Sequence, residues 1–551
     1  MKGGSVMKLM KRMKWITTII TEMKYHIILL ALLIVVSSYL SIVPIQFIQR
    51  IIDLALNSAN IQSIVITALI YIVLQISAAS LKGYVTYLIE KIQAKIGRQL
   101  KDIAFEKLLN IDASVYANTR TTDFTNRIRD DTDYISDNVI RITATIFQSI
   151  ITFIIGLYFM ITINLLLVLI ILPFGLITSI ISSMTSQRIE QLANNNKNAF
   201  LSLIKIYNEG IQGILPIKIN NANDEYKTKS TLSSQQLEII KIKQGKLNGI
   251  RLFLMSSLFM TTIGVIMLVL SLLTREKQIS VGALTAIMMY NHMLVDPLIA
   301  IFEEKKNITQ LNISIERVDK IFNYQEQKLI FQNINIEKIV VKNLSFNYEN
   351  EKILTDINLE IYNKQKVAII GETGCGKSTL ANIICGLYLP ENGYIQYITK
   401  DQEAVNGYPE FGYMIQDGYI FDESLFENIK LANKNLEIEL FNSIINICCL
   451  DNVYKRYQDK KLGENGSFLS SGEKKRVQIA RTIADLSKNI YIFDELSSNL
   501  DDNIGSLIFN NVLNLLNDKI CIFIEHDIVQ ANKCDRVIVM DNGRIINENN
   551  K

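Results

Sequence analysis

Between Tyr25 and Phe302 the chain carries six apolar runs, near Tyr25–Ile48, Ile64–Leu88, Val139–Ile163, Leu165–Met184, Leu252–Leu273 and Val281–Phe302. Each approaches the roughly 20 residues that a helix needs to cross the hydrocarbon core of a bilayer. Lipid offers no partner to a bare peptide N–H or C=O, so runs of this kind are restricted to helices that satisfy their own backbone. A six-helix membrane domain is therefore expected. Two charged stretches, Lys91 to Asp137 and Gln187 to Lys246, separate the second run from the third and the fourth from the fifth. Their pattern is itself helical, so the spanning helices are expected to continue well into water. The basic flank of Lys8, Lys11, Arg12 and Lys14, together with both long arms, falls on the cytoplasmic side by the positive-inside rule. Arg50–Gln62, the turn at Asn164 and Thr274–Ser280 then lie outside, and six crossings return the chain to the cytoplasm.

From about Val340 onward the text changes to short apolar runs, glycine loops and charged helices. A boundary at residues 325 to 335 divides the chain into a membrane domain, 1–325, and a second domain, 335–551. The net charge of +3 is too small for a nucleic-acid partner. All six cysteines (Cys375, Cys385, Cys448, Cys449, Cys521, Cys534) belong to the second domain, and none shows metal-ligand spacing, so they read as reduced thiols of a cytosolic compartment. In the last apolar run His292 and Asp296 stand four apart on one helical face. Ionisable groups within a bilayer are costly, which makes this pair a candidate lining of a substrate cavity, with an internal helix-orienting pair as the alternative.

"KVAIIGETGCGKSTL" is an apolar strand, a glycine loop and the start of a helix. The loop, Gly371, Glu372, Thr373, Gly374, Cys375, Gly376, Lys377 and Ser378, followed by Thr379, has the G-x-x-x-x-G-K-[ST] spacing. Its glycines let backbone amides close around phosphate oxygens at a helix N-terminus, while Lys377 brings a charge to the outer phosphates and Ser378 an oxygen to Mg2+. "NIYIFDE" ends a second apolar strand on two carboxylates. Buried carboxylates need a partner, and a magnesium ion held by Asp494 meets that need, leaving Glu495 as general base toward an attacking water. A third strand, "ICIFIEHD", ends at His526 by the same logic.

These motifs, in this order, resemble those of an ATP-binding cassette exporter of the half-transporter type. The likeness extends over nearly the whole chain. It implies an α-helical membrane domain of six transmembrane helices with long cytoplasmic extensions, followed by an α/β P-loop nucleotide-binding domain. It further implies that Tyr348 in "LSFNYEN" stacks on adenine, that Gln416 in "MIQDGYIF" links the metal to the membrane domain, that Asp501 in "SNLD" is the D-loop residue and that His526 is the switch histidine. Segments near Ile111–Phe124 and Gly210–Asn221 resemble coupling helices. In this family the signature loop caps the γ-phosphate held by a second chain, so the resemblance implies a dimer sandwiching two ATP.

The signature here is "LSSGE", where the family usually has L-S-G-G-Q. Ser470 and Gly472 remain, whereas Ser471 adds a Cβ where backbone approach is close and Glu473 adds negative charge near a phosphate. A weakened cap is expected, and it would serve the partner's site. The leading reading is a homodimeric exporter in the cytoplasmic membrane of a bacterium, moving a peptide or other amphipathic compound with ATP and Mg2+. A lipid or multidrug exporter half in a heterodimer, and an ATP-gated regulatory or channel protein on the same scaffold, are the alternatives.

Overall fold

The structure, a computed structural model, describes residues 14–57, 60–119, 121–275, 280–327, 329–348 and 351–550. The chain forms two compact units, Met1–Leu109 with Thr121–Tyr324, and Asn110–Arg120 with Gln325–Lys551. Lys8, Lys11 and Arg12 of the basic flank lie outside the described residues, as do most of the loop expected at Thr274–Ser280 and Glu349–Asn350 after Tyr348.

The first unit is helical throughout: α1 (Lys14–Glu22), α2 (Lys24–Ile42), α3 (Pro44–Leu56) and α4 (Ile61–Leu109) precede the segment that holds α5 (Ala113–Asn118). Then follow α6 (Thr121–Asn126), α7 (Thr132–Ile163), α8 (Leu165–Gln212), the short α9 (Ile214–Ile219), α10 (Asn223–Arg275) and α11 (Val281–Asn323). The 49 residues of α4 make a rod about 73 Å long at 1.5 Å per residue, more than twice what a bilayer core spans. Along α2, Leu30, Ile34, Ser37 and Ser38 are buried while Ile28, Leu32 and Val36 are exposed. An apolar outer face with small polar residues inside suits lipid and would be a liability in water. Pro44 starts α3 because proline tolerates a first helical position but not an interior one.

Among the described residues five helical segments are long and apolar enough to cross a membrane: Lys24–Leu56, Ile61–Leu109, Thr121–Ile163, Asn223–Leu273 and Val281–Asn323. The expected fourth span, Leu165–Met184, opens α8, where side chains outside the described residues interrupt it and leave Val168–Ser182 as its described apolar stretch. Thr178 and Ser179 are buried and both donate to the Gly175 carbonyl, at 2.8 and 2.7 Å. Such back-bonding lets hydroxyls sit in an apolar helix at low cost. Farther along, Glu303 on α11 accepts from Ser182 of α8 at 3.1 Å and from Arg251 of α10, tying three long helices together.

The second unit is built on a six-stranded sheet and a three-stranded antiparallel one. The strands in chain order are β1 (Phe331–Gln332), β2 (Ile336–Tyr348), β3 (Glu351–Tyr362), β4 (Lys366–Gly371), β5 (Asn392–Thr399), β6 (Tyr408–Pro409), β7 (Phe411–Met414), β8 (Ile490–Asp494), β9 (Ile520–Ile524), β10 (Arg536–Asp541) and β11 (Arg544–Asn550). The large sheet runs β11-β10-β4-β9-β8-β7, parallel except for β11. β8 and β9 are buried along their whole length, as strands covered on both faces must be. The small sheet, β3-β2-β5, and two-stranded β1-β6 complete the unit. Asn110–Arg120 is part of it: Ile111 bridges Glu326, and Ala113 packs on the core that contains Ile369 and Tyr397. None of the six cysteines is in a disulfide.

Candidate functional site

In a parallel sheet, ligands gather beyond the carboxyl ends of the strands. Registers of Ile369 with Ile524 and of Asp494 with Ile524 bring the ends of β4, β9 and β8 side by side. A cavity of about 200 Å³ opens there, and its lining holds Tyr348, Thr373, Gly374, Gly376, Lys377, Ser378, Thr379, Gln416, Asp494, Glu495 and His526. Residues as far apart in sequence as Tyr348 and His526 thus meet in one place. Ser470, Ser471, Gly472, Glu473 and Asp501 are not in that lining.

The loop from Gly371 to Ser378 connects β4 to α12 (Lys377–Ile384). Gly376, at φ +100°, is required twice over, since a Cβ would also meet Leu354 at 2.7 Å. Lys377 is buried, and its Nζ donates to the carbonyls of Gly371 and Glu372, each at 2.8 Å. Glu372 contributes its backbone here, and Cys375 is a buried thiol 3.9 Å from the same Nζ. Tyr348, at the end of β2, packs edge-on against Phe346 and Tyr388 with centroids at 5.1 and 5.7 Å, and burial raises its phenol pKa.

Asp494 is 2 % exposed, and its Oδ1 has no hydrogen-bond partner. Burial pushes its carboxyl pKa up, the charge of Glu495 adds to this, and the Ser378 hydroxyl with Lys475 and Lys377 pulls it back. An orphaned buried carboxylate oxygen beside the Ser378 hydroxyl is the donor set that a hard divalent cation selects. Glu495 follows with φ +55°, a backbone setting that non-glycine residues adopt rarely and that clusters at functional positions. Its Oε1 accepts from Gln416 Nε2 at 2.6 Å and lies 3.4 Å from His526 Nε2.

The signature opens α16 (Ser471–Thr482), after α13 (Leu425–Lys430), α14 (Ile438–Ile447) and α15 (Asp451–Tyr457). Ser470 is its N-cap, accepting from the Glu473 N–H at 3.2 Å, while Glu473 Oε2 accepts from the Ser470 N–H at 2.9 Å. This reciprocal capping box satisfies two otherwise orphaned donors. The second Glu473 oxygen is paired with the Arg456 guanidinium. Burial would raise the Glu473 carboxyl pKa, but the Ser470 N–H and Arg456 outweigh it and hold it below the usual range. This changes the expectation drawn from the sequence. The Glu473 carboxylate is turned back and neutralised by Arg456 instead of adding free negative charge at the helix mouth. Ser471 is exposed. At Gly472 a Cβ would lie 3.1 Å from the Asn499 carbonyl.

Among the buried charges of this unit that sequence reasoning missed, two act on the site. Lys475 and Glu525 are 4 % and 1 % exposed, and Glu525 accepts from the Ser497 hydroxyl at 2.6 Å. Burial lowers the Lys475 pKa against the pull of Glu495, Asp494, Glu525 and Asp417, and it raises that of Glu525. A lysine inside a basic helix and a glutamate beside a histidine carry no mark of burial, so only the fold could reveal them. In the membrane unit, His292 and Asp296 do pair, at 3.5 Å, and the His292 ring lies 4.9 Å from that of Phe259. Neither lines the cavity of about 460 Å³ in that unit, whose walls include Gln46, Arg50, Asp53, Thr162 and Tyr290.

Comparison with known proteins agrees with this geometry. The family profile of the ABC transporter transmembrane region matches residues 27–298, and that of the ABC transporter matches residues 354–498. Multidrug resistance-like ATP-binding protein MdlB of Buchnera aphidicola subsp. Schizaphis graminum is 27% identical over 502 residues, covering 90% of this chain and 86% of its own. Alpha-hemolysin translocation ATP-binding protein HlyB of Escherichia coli O157:H7 is 26% identical over 545 residues, covering 95% and 76%. A solved bacterial Atm1-family ABC exporter with ATP bound superposes with a TM-score of 0.79 at 19% identity, covering 96% of this chain and 95% of that one, which shows the shared fold. The chain belongs to the ATP-binding cassette transporters, as a multi-pass membrane exporter half that joins its membrane region to a cytoplasmic nucleotide-binding region and couples ATP hydrolysis to transport.

Proposed function

We propose that two copies of this chain form the working exporter and that each ATP is bound between one chain's glycine loop and the other's signature. The observation that carries this reading is the position of Ser470 and Gly472 outside the cavity that gathers Lys377, Asp494, Glu495 and His526. The hydrolytic set of one chain is therefore incomplete without a second signature. Leu215 and Ile219 of α9, exposed in a cytoplasmic connection, add apolar surface for such an assembly. In this reading the membrane domain ends near residue 325 and the nucleotide-binding domain begins near 335.

Tyr348 stacks on the adenine, the loop amides and Lys377 hold the phosphates, and Ser470 and Gly472 of the opposite chain close over the outer phosphate. Ser378, Gln416 and Asp494 would hold Mg2+, which when bound spreads the charge of the outer phosphates. Glu495 takes a proton from the attacking water, oriented by Gln416 and His526 through its Oε1. Asp501 lies in the loop that links these residues to the facing chain. The cargo is a peptide or another amphipathic compound. Relatives named for alpha-hemolysin translocation and for multidrug resistance support that breadth, as does a membrane cavity lined by both polar groups and aromatic rings. A heterodimer is the second reading, favoured by Ser471 in place of a glycine.

Mixing two inactive chains tests the pairing. A Lys377→Ala chain lacks its own phosphate grip, and a Gly472→Glu chain cannot cap its partner. Co-reconstituted, they should regain ATP hydrolysis at the one site that combines the intact halves. Neither alone should be active. Absence of rescue, with a monomeric particle in detergent, would overturn the homodimer; transport of candidate peptides, lipids and drugs into vesicles then separates the cargo classes.

A further inference from the structure

The helix that begins at the signature also braces the walls of its own chain's nucleotide cavity. Lys475, five residues beyond the Ser470 cap, donates from Nζ to the Asp494 carbonyl at 3.4 Å. Gln478 donates to the Gly418 carbonyl, and Arg481 Nη1 to the Tyr419 carbonyl at 2.8 Å. Gln416, two residues before Gly418, donates to Glu495, which follows Asp494. The connections close into a ring: α16, Lys475, Asp494 and Glu495, Gln416, Gly418, Gln478 and back to α16.

Burying an ammonium group costs several kcal/mol before compensation. The single neutral carbonyl that Lys475 bonds does not offset that cost. The field of Glu495, Asp494, Glu525 and Asp417 works against that cost in part, with burial still holding the Lys475 pKa below its ordinary value. Glu525 is fixed in turn by the Ser497 N–H and hydroxyl, at 3.3 and 2.6 Å. Lys475 thus carries a charge from the signature helix to the back of the hydrolytic carboxylates.

We infer that Lys475 is a positioning residue that couples the two ATP sites, because the α16 that caps the partner's phosphate through Ser470 and Gly472 also holds Asp494 and Glu495 of its own site through Lys475 and Gln416 through Gln478. The inference rests on the two-chain reading above. Occupancy of one site sets α16; α16 sets the carboxylates of the other. A ligand couples two sites only through contacts that differ between states, and this ring supplies such contacts without passing through the membrane unit.

The test uses the full chain reconstituted in lipid, with ATP turnover followed against ATP concentration and nucleotide affinity read from a fluorescent ATP analogue. Lys475→Met should lower kcat by about tenfold or more, within the usual span of coupling free energies, and abolish cooperativity in ATP while leaving analogue affinity unchanged. Lys475→Arg should restore both kcat and cooperativity. Gln478→Ala, which removes a neutral arm of the ring and carries little folding risk, should weaken cooperativity even where Lys475→Met gives no folded protein. Unchanged cooperativity in both Lys475→Met and Gln478→Ala overturns the inference, and so does equal loss in the Met and Arg variants. If the mixed-chain rescue succeeds while these variants behave as wild type, the dimer stands and the coupling role alone falls; if the rescue fails, the dimer falls and the coupling role with it.

Discussion

Gln416 Nε2 donates to Glu495 Oε1 at 2.6 Å, and the same oxygen lies 3.4 Å from His526 Nε2. One carboxylate oxygen is thus shared by groups from the ends of β7 and β9, while the other remains for a water. Glu495→Gln preserves an acceptor oxygen for Gln416 but removes the base. ATP hydrolysis should fall by roughly 10²–10⁴-fold, the range for loss of a general base, with analogue binding retained. Phosphate release and analogue titration on the same preparation check both halves.

The unpartnered Asp494 Oδ1 makes a metal-linked prediction. Chelation should abolish turnover in wild type, and Mg2+ should restore it. Asp494→Asn should keep the loop and its metal-free nucleotide affinity but lose the response to Mg2+. Turnover at several Mg2+ concentrations distinguishes this from general damage.

Glu473 stabilises the first turn of α16 through its capping box and Arg456. Glu473→Ala should destabilise that turn by about 1 kcal/mol, as loss of a cap does, whereas Glu473→Gln keeps the bond to Ser470. Because the folded carboxyl sits below its ordinary pKa, its contribution is complete above the unfolded value and disappears as pH falls through the lowered one. Hydrogen exchange of the amides at 471–474, measured at neutral and acid pH, should show protection lost on acidification in wild type and much less pH response in Glu473→Gln.

Tyr348 offers a half-buried ring held between Phe346 and Tyr388. Stacking of a base on an aromatic side chain is worth about 1–3 kcal/mol. Tyr348→Ala should raise the KM for ATP accordingly with kcat little changed, and Tyr348→Phe should behave as wild type in the same turnover assay.

What was legible in the sequence was what lies within a few residues along the chain. The Gly371–Ser378 loop, the Asp494–Glu495 pair at a strand end and His526 each sit in a local pattern, and the fold unites them. Glu473 was misread because its partner Arg456 is 17 residues upstream on another helix. Spacing could not show that the carboxylate folds back on its own cap. The Ser182–Arg251–Glu303 cluster and the ring through Lys475 share that property, with partners distant in sequence and none marked by composition.

Asn110–Arg120 belongs with residues made more than 200 positions later. Asp112 N–H donates to the Gln325 carbonyl at 3.4 Å, and Gln327 N–H to the Asn110 carbonyl at 2.9 Å. During synthesis this segment emerges between the second and third crossings, long before any strand of the unit it completes exists. Translation order and folding order therefore differ here, and a fragment expressed from Gln325 onward would lack the segment that meets the Gln325 carbonyl and the Gln327 N–H.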